Sequence, residues 1–171
     1  MHVSLDQALG RQPRLNRVGQ SLLNIGSGAS AAYSLRSLNG GDPNVVRVRR
    51  DSDNAEKDFS ASAVSSGALA DWVGAGNDGF VVTWYDQSGN GNDASQTTAG
   101  NQPKIVDAGS LIADGIDFFS GLNLTLSGDG LDIFRDVAYG QIFSVIKPRE
   151  TSTANSRYFE ATVVDGGGAK F

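Results

Sequence analysis

Carboxylates are the groups to weigh first, because the chain has a single histidine, His2, at its very start, and no cysteine. A lone terminal histidine gives no credible Ser-His-Asp arrangement. Without cysteine there is no thiolate zinc site, no disulfide framework and no sulfur nucleophile. What remains is the two-carboxylate chemistry of glycoside hydrolysis, which needs acids about 5 Å apart to retain configuration and roughly 6.5–9.5 Å apart to invert it. The candidate pairs are Asp51 with Asp53 and Asp114 with Asp117. Both lie in polar turns, where Asp commonly bonds its own backbone. The expectation is therefore a protein with no catalytic residues. No phosphate-binding or dinucleotide loop is present either, since no glycine cluster opens a helix after a strand in the required spacing.

The polar run DQSGNGND, residues 86–93, is the strongest local feature. Asp86, Ser88 and Asn90 place oxygen atoms at alternate positions ahead of Gly91, as at the start of a calcium loop. The bidentate Glu that would close such a loop is replaced by Thr97, and strands replace the flanking helices. A structural turn is the preferred reading, with calcium as the one cofactor these residues suggest. Trp72, Trp84 and Tyr85 could form a platform for sugar rings, but their place on a helix and a strand among apolar neighbours makes them expected core residues. Arg47, Arg49 and Arg50 are followed at once by Asp51, Asp53, Glu56 and Asp58, so an exposed hairpin with mutually neutralising charges is expected rather than an anion site.

The elements that would hold these groups are mostly strands. Twenty-two glycines sit between β-branched runs, which is the pattern of short strands joined by tight turns. Val45, Val46 and Val48 alternate with arginines for a half-exposed strand, and the polar residues after it turn the chain toward Phe59. A short helix capped by Ser65 or Ser66 is expected through Leu69, Trp72 and Val73, ended by Gly74 and Gly76. GFVVTWY, residues 79–85, is short and apolar on both faces, so it reads as a central strand buried on each side. Further strands are expected at 102–106, 115–119, 122–126, 141–147 and 157–164, with a helical turn at 131–137. Many short strands with glycine turns imply an antiparallel β-sandwich or jelly roll. Another strand would be expected beyond Phe171, so the sandwich is expected to be incomplete or completed by a neighbouring chain.

Residues 1–29 read as a separate N-terminal arm, extended or partly helical, ahead of a β-sandwich domain over residues 30–171. Arg11, Arg14 and Arg17 face a single Asp6, and the arm carries Leu22 and Leu23. These five basic and apolar residues are the expected partner-binding set. No secretory signal is recognisable at the start. The formal net charge of -5 argues against a nucleic-acid partner, which would demand an excess of Lys and Arg. No apolar run approaches the roughly 18 residues of a membrane span.

Three segments together carry a family likeness: AAYSLRSLNGGDPNVVRVRRDSDNAEKDF, GALADWVGAGNDGFVVTWYDQSGNGNDASQ and NQPKIV. They resemble the first half of the α-L-arabinofuranosidase B catalytic domain and its non-catalytic relatives in phage and bacterial surface proteins, over roughly residues 31–106. The resemblance implies a concanavalin A or laminin-G-like jelly roll. The catalytic acids of that family lie downstream of the matching segments and have no counterpart here, and its cysteines are missing. The expected function is thus a non-enzymatic phage virion structural protein: a fibre, decoration or tail-associated subunit, anchored to other virion proteins by its arm. Homo-oligomerisation, as a trimer for example, is expected. A carbohydrate-binding module for host surface glycan is the alternative, and an arabinofuranosidase-like hydrolase the second.

Overall fold

The computed structural model describes residues 28–113, 115–119, 121–126, 142 and 144–147. Arg11, Arg14, Arg17, Leu22 and Leu23 of the arm lie outside the described residues, as do the helical turn expected at 131–137 and the strand expected at 157–164.

Within the described residues the chain is mostly β. It runs β1 (Asn44–Arg50), β2 (Glu56–Ser60), α1 (Ala61–Ser65), α2 (Ala68–Val73), β3 (Gly79–Trp84), β4 (Ala94–Ser95), a 3-10 turn (Ala99–Asn101), β5 (Lys104–Asp107), β6 (Ser110–Leu111) and β7 (Thr125–Leu126). All seven strands join one sheet, and every pairing is antiparallel. β3 is its centre. It pairs with β1 along one edge, while its other edge is shared by β5 at Gly79 and Phe80 and by β4 at Thr83 and Trp84.

Because side chains alternate across a strand, the register sorts residues into rows that cross the sheet. Phe59, Val46, Trp84, Ala94 and Leu126 are successive partners from β2 to β7 and form an apolar row. The adjacent row is polar, running Asp58, Arg47, Thr83, Ser95 and Thr125. The apolar side is closed by the two helices. Val46, Val48, Phe59, Val81 and Val106 join Val64, Leu69 and Val73 in one buried cluster, and Trp72 meets the Phe59 ring edge-on at 5.3 Å.

Three apolar doublets interrupt the alternation: Val45–Val46, Val81–Val82 and Ile105–Val106. Each coincides with a register shift, since Val45, Val82 and Ile105 are the residues without an opposite partner. A bulge inserts one residue and turns the following side chain to the other face. The Val82 bulge therefore sets Val81 and Trp84 on the same face although they are three residues apart. All three bulge residues are buried. This corrects the expectation that β3 is buried on both sides: Phe80 and Thr83 are only half-buried, and they stand on the polar face.

The helical segment also differs from expectation. Ser60, not Ser65 or Ser66, caps a first helix by accepting from the Ala63 amide, and Gly67 in the left-handed region separates it from the second. ASAVS is little more than one turn, too short for the spacing of its buried Ala61 and Val64 to stand out as a helical period in the sequence. Gly74 ends α2 as expected. The strand expected at 115–119 is reduced to one bridge between Asp117 and Lys104. Of the strand expected at 141–147, the described residues Ile142 and 144–147 carry no strand pairing.

Glycine at 109 is dictated by its neighbours. It has φ +84°, and a Cβ there would come within 2.7 Å of Ala75 Cα and 2.8 Å of the Gly74 carbonyl oxygen. Gly89 shares the sign of φ but has open space. Gly109→Ala should cost about 2–4 kcal/mol through backbone displacement, against about 1 kcal/mol for Gly89→Ala from φ strain alone. Urea unfolding of the two variants checks this, and equal losses would refute the close approach.

Candidate functional site

The chain leaves β3 through Tyr85 and enters the 86–93 loop, where Asp86 organises the backbone. Its Oδ1 accepts from the amides of Ala32 and Ser88, both at 2.8 Å. Its Oδ2 accepts from Ser88 Oγ at 2.6 Å and the Asn92 amide at 3.1 Å. A carboxylate has about four acceptor positions, and all are taken. Burial raises the Asp86 pKa, but the bonds from Ser88, Ala32 and Asn92 outweigh it and hold the group below the usual carboxylate range.

Gln87 does for residues 34–38 what Asp86 does for Ala32. It is buried, accepts from the Leu38 amide at 2.8 Å, and donates through Nε2 to the carbonyls of Ser34 and Arg36 at 2.9 and 3.0 Å. Asn90 Nδ2 donates to the carbonyls of Ala29 and Ser30, and Asn92 Nδ2 donates to that of Ser30. The Tyr33 hydroxyl donates to the Asn92 carbonyl, while its ring tilts against Trp84 at 5.5 Å. Burial first, then the charges of Asp86 and Asp93, push the Tyr33 pKa up, so it stays a donor. Residues 29–38 form a strap without strand partners among the described residues, tied to the domain by side chains of this loop.

Asp86, Ser88 and Asn90 are thus brought together, as a clamp on backbone. Thr97 is exposed and takes no part in these bonds. No group of three or more His, Asp or Glu side chains able to hold a metal occurs among the described residues. Gln87 was missed by sequence reasoning, because one glutamine inside a polar turn makes no pattern.

The other candidate residues separate. Asp51 accepts from the Asp78 amide, whereas Asp53 holds Arg50 in two bonds of 2.8 and 2.6 Å. Asp114 lies outside the described residues, and Asp117 bridges to Lys104 through its backbone. On the polar face Arg47 forks onto Asp58 at 2.7 and 3.0 Å, and Tyr85 donates to the same carboxylate at 2.7 Å. Tyr85 therefore belongs to this face and not to the core. Its pKa is pushed up to about 12, by burial first and then by Asp58. Arg49 bonds two neutral amides, Gln102 and Asn54, and lies 4.9 Å over the Phe80 ring. Arg50 stacks 4.7 Å over Trp72 on the helix side.

A shallow groove of about 550 Å³ runs between the end of the strap and α1, lined by Arg36, Ser37, Gly41, Asp42, Ser62 and Ser65 among others. Asp42 is fixed by the Ser62 amide and hydroxyl at 2.8 and 2.5 Å. Arg36 is exposed, with no side-chain hydrogen bond among the described residues, and Ser37 Oγ is shielded from solvent without a partner. Trp84 Nε1 is the other buried polar atom in that condition among the described residues.

No protein-family model, curated protein or solved structure matches this chain.

Two outcomes follow from the clamp and the ion pairs. Gln87→Ala leaves three backbone groups without their partner and should cost about 2–3 kcal/mol, with new proteolysis within residues 30–38; an unchanged cleavage pattern would refute the strap's dependence on Gln87. Asp42, Asp53, Asp58, Asp78 and Asp86 all have folded pKa values below the usual range, Asp53 down to about 2 through the Arg50 guanidinium. Depressed values add stability above the unfolded pKa of about 4, which is lost as pH falls through the folded values. The melting temperature should therefore drop as pH is lowered from about 4 to 2, and a flat profile there would contradict these pairings.

Proposed function

We propose that this chain is a non-enzymatic display module of a phage-type virion, its sheet forming part of a lectin-like, concanavalin-type sandwich and its N-terminal arm docking on other virion proteins. One observation supports the non-enzymatic part most. Every described carboxylate with a resolved shift is held below its usual pKa by donors already in place. A glycosidase acid needs the reverse, a carboxyl raised toward neutrality and free to give its proton. The clamp supports the display part. It fixes the backbone that follows residues 1–29, so that load on the arm reaches the sheet. Calcium has no role in this reading, since Asp86 is saturated by protein donors. A homo-oligomer, with a trimer as the working number, would multiply weak contacts through avidity.

The groove favours a second reading, a carbohydrate-binding module. With Asp42 and Ser62 spent on each other, the groove offers the Arg36 guanidinium and the Ser37 hydroxyl, donors suited to the hydroxyl oxygens of a neutral sugar, and its volume falls within the roughly 300–1,000 Å³ of small-ligand sites.

Deletion of residues 1–29 should abolish incorporation into particles while the circular dichroism stays β-rich, and an arabinofuranoside reporter should remain uncleaved by the full chain. Undiminished incorporation would refute the arm's role; reporter turnover abolished by one Asp or Glu substitution would refute the non-enzymatic reading. Millimolar arabinose or galactose shifting the amide resonances of residues 36–42, and failing to do so in Arg36→Ala, would favour the second reading.

A further inference from the structure

The sequence contains two Asn-Gly pairs, Asn39–Gly40 and Asn90–Gly91. Both glycines are exposed, with φ +81° and +74° and, among the described residues, open space where a Cβ would stand, so the fold distinguishes the pairs at the asparagine. Asn-Gly is the dipeptide most open to intramolecular imide formation, because glycine puts no side chain in the way of its own amide nitrogen. The reaction needs an asparagine side chain free to rotate onto that nitrogen and a following residue free to move.

We propose that Asn39 is a site of spontaneous covalent modification in the folded protein, and that Asn90 is protected from the same chemistry by the clamp. Asn39 is exposed, and no hydrogen bond among the described residues engages its side chain. Gly40 is exposed as well, with φ +81° and, among the described residues, no atom within 4 Å of where a Cβ would stand. Asn90 is equally exposed at the residue level, yet its Nδ2 donates to Ala29 O at 2.9 Å, Ser30 O at 3.1 Å and Ser88 Oγ at 3.1 Å. Its backbone amide is also held, by Ser88 Oγ at 3.3 Å. Rotating the Asn90 amide onto Gly91 would break the bonds its two Nδ2 protons make to these three acceptors.

The chemistry needs only water. The Gly40 nitrogen gives its proton to solvent and attacks Asn39 Cγ; the N–Cγ bond forms, the Cγ–Nδ2 bond breaks, and ammonia leaves with a solvent proton. Water then opens the five-membered imide at either carbonyl, leaving aspartate or the isomer with its backbone routed through the side chain. No atom is oxidised or reduced. The product adds one negative charge to the loop whose flanks, Arg36, Ser37, Gly41 and Asp42, line the groove.

The test is incubation of the full folded chain at mildly alkaline pH for several weeks, followed by peptide mapping with mass spectrometry, beside a control unfolded in urea. Losing the hydrogen bonds of both Nδ2 protons before reaction should slow Asn90 by about tenfold or more relative to Asn39 in the folded protein. In urea the two positions should convert at comparable rates, and Asn39→Gln should remove the fast product while leaving the fold intact by circular dichroism. Equal rates at both positions in the folded protein, or faster conversion at Asn90, would overturn the proposal. So would an Asn39 that converts only in urea.

Discussion

Asp86 and Gln87 follow directly from the strand that holds the sheet together, and their side chains carry the part of the fold that strand pairing does not reach. Residues 29–38 have no sheet neighbour among the described residues, so their amides and carbonyls must find other partners or stay with water. The amides of Ala32 and Leu38 find Asp86 and Gln87; the carbonyls of Ser34 and Arg36 find Gln87. The bonds are cheap in sequence, two adjacent residues for a ten-residue strap, but they require β3 to end in the right place and orientation.

That placement rests on the bulges. A regular strand would put Val81 and Trp84 on opposite faces. The extra residue at Val82 brings both to the apolar side and leaves Thr83 and Tyr85 to the polar side, where the Tyr85 hydroxyl reaches Asp58. The same device at Val45 and Ile105 lets consecutive apolar residues be buried in strands that otherwise alternate. Helices α1 and α2 then close the apolar side, and the opposite side keeps its ladder of arginine, aspartate, threonine and serine. β2 stands at the end of the sheet among the described residues, and its exposed Glu56 and Lys57 suit an edge that must not recruit another chain.

Much of this was legible beforehand. The alternation of valine and arginine in β1, the turn to Phe59, the apolar run of β3 and the glycine stop after Val73 all reflect local rules of period and backbone freedom. The two-residue strands β4 and β6 were not legible, because so short a pairing is decided by the neighbours and not by its own residues. The bulges were half visible as apolar doublets, which a reading by period alone takes for burial on both faces. At the site, Asp86, Ser88 and Asn90 stood out by spacing, yet spacing could not say whether their oxygens face a cation or a backbone. Partners more than fifty residues away, at Ala29, Ser30 and Ala32, decide that. Gln87 and the groove residues depend on the same long-range contacts and left no local trace.

The proposed display role rests on this arrangement: among the described residues Asp42, Asp53, Asp58, Asp78 and Asp86 are engaged by donors of the protein itself, Asp86 wholly by the strap and its own loop. Hydrogen exchange resolved by residue tests the clamp most directly, through four amides whose acceptors are side chains of Asp86 and Gln87: Ala32, Leu38, Ser88 and Asn92. Protection at these positions approaching that of the β3 amides is the expected result. Exchange at the rate of an unstructured chain, with β3 still protected, would show that the strap is not clamped and would contradict the account.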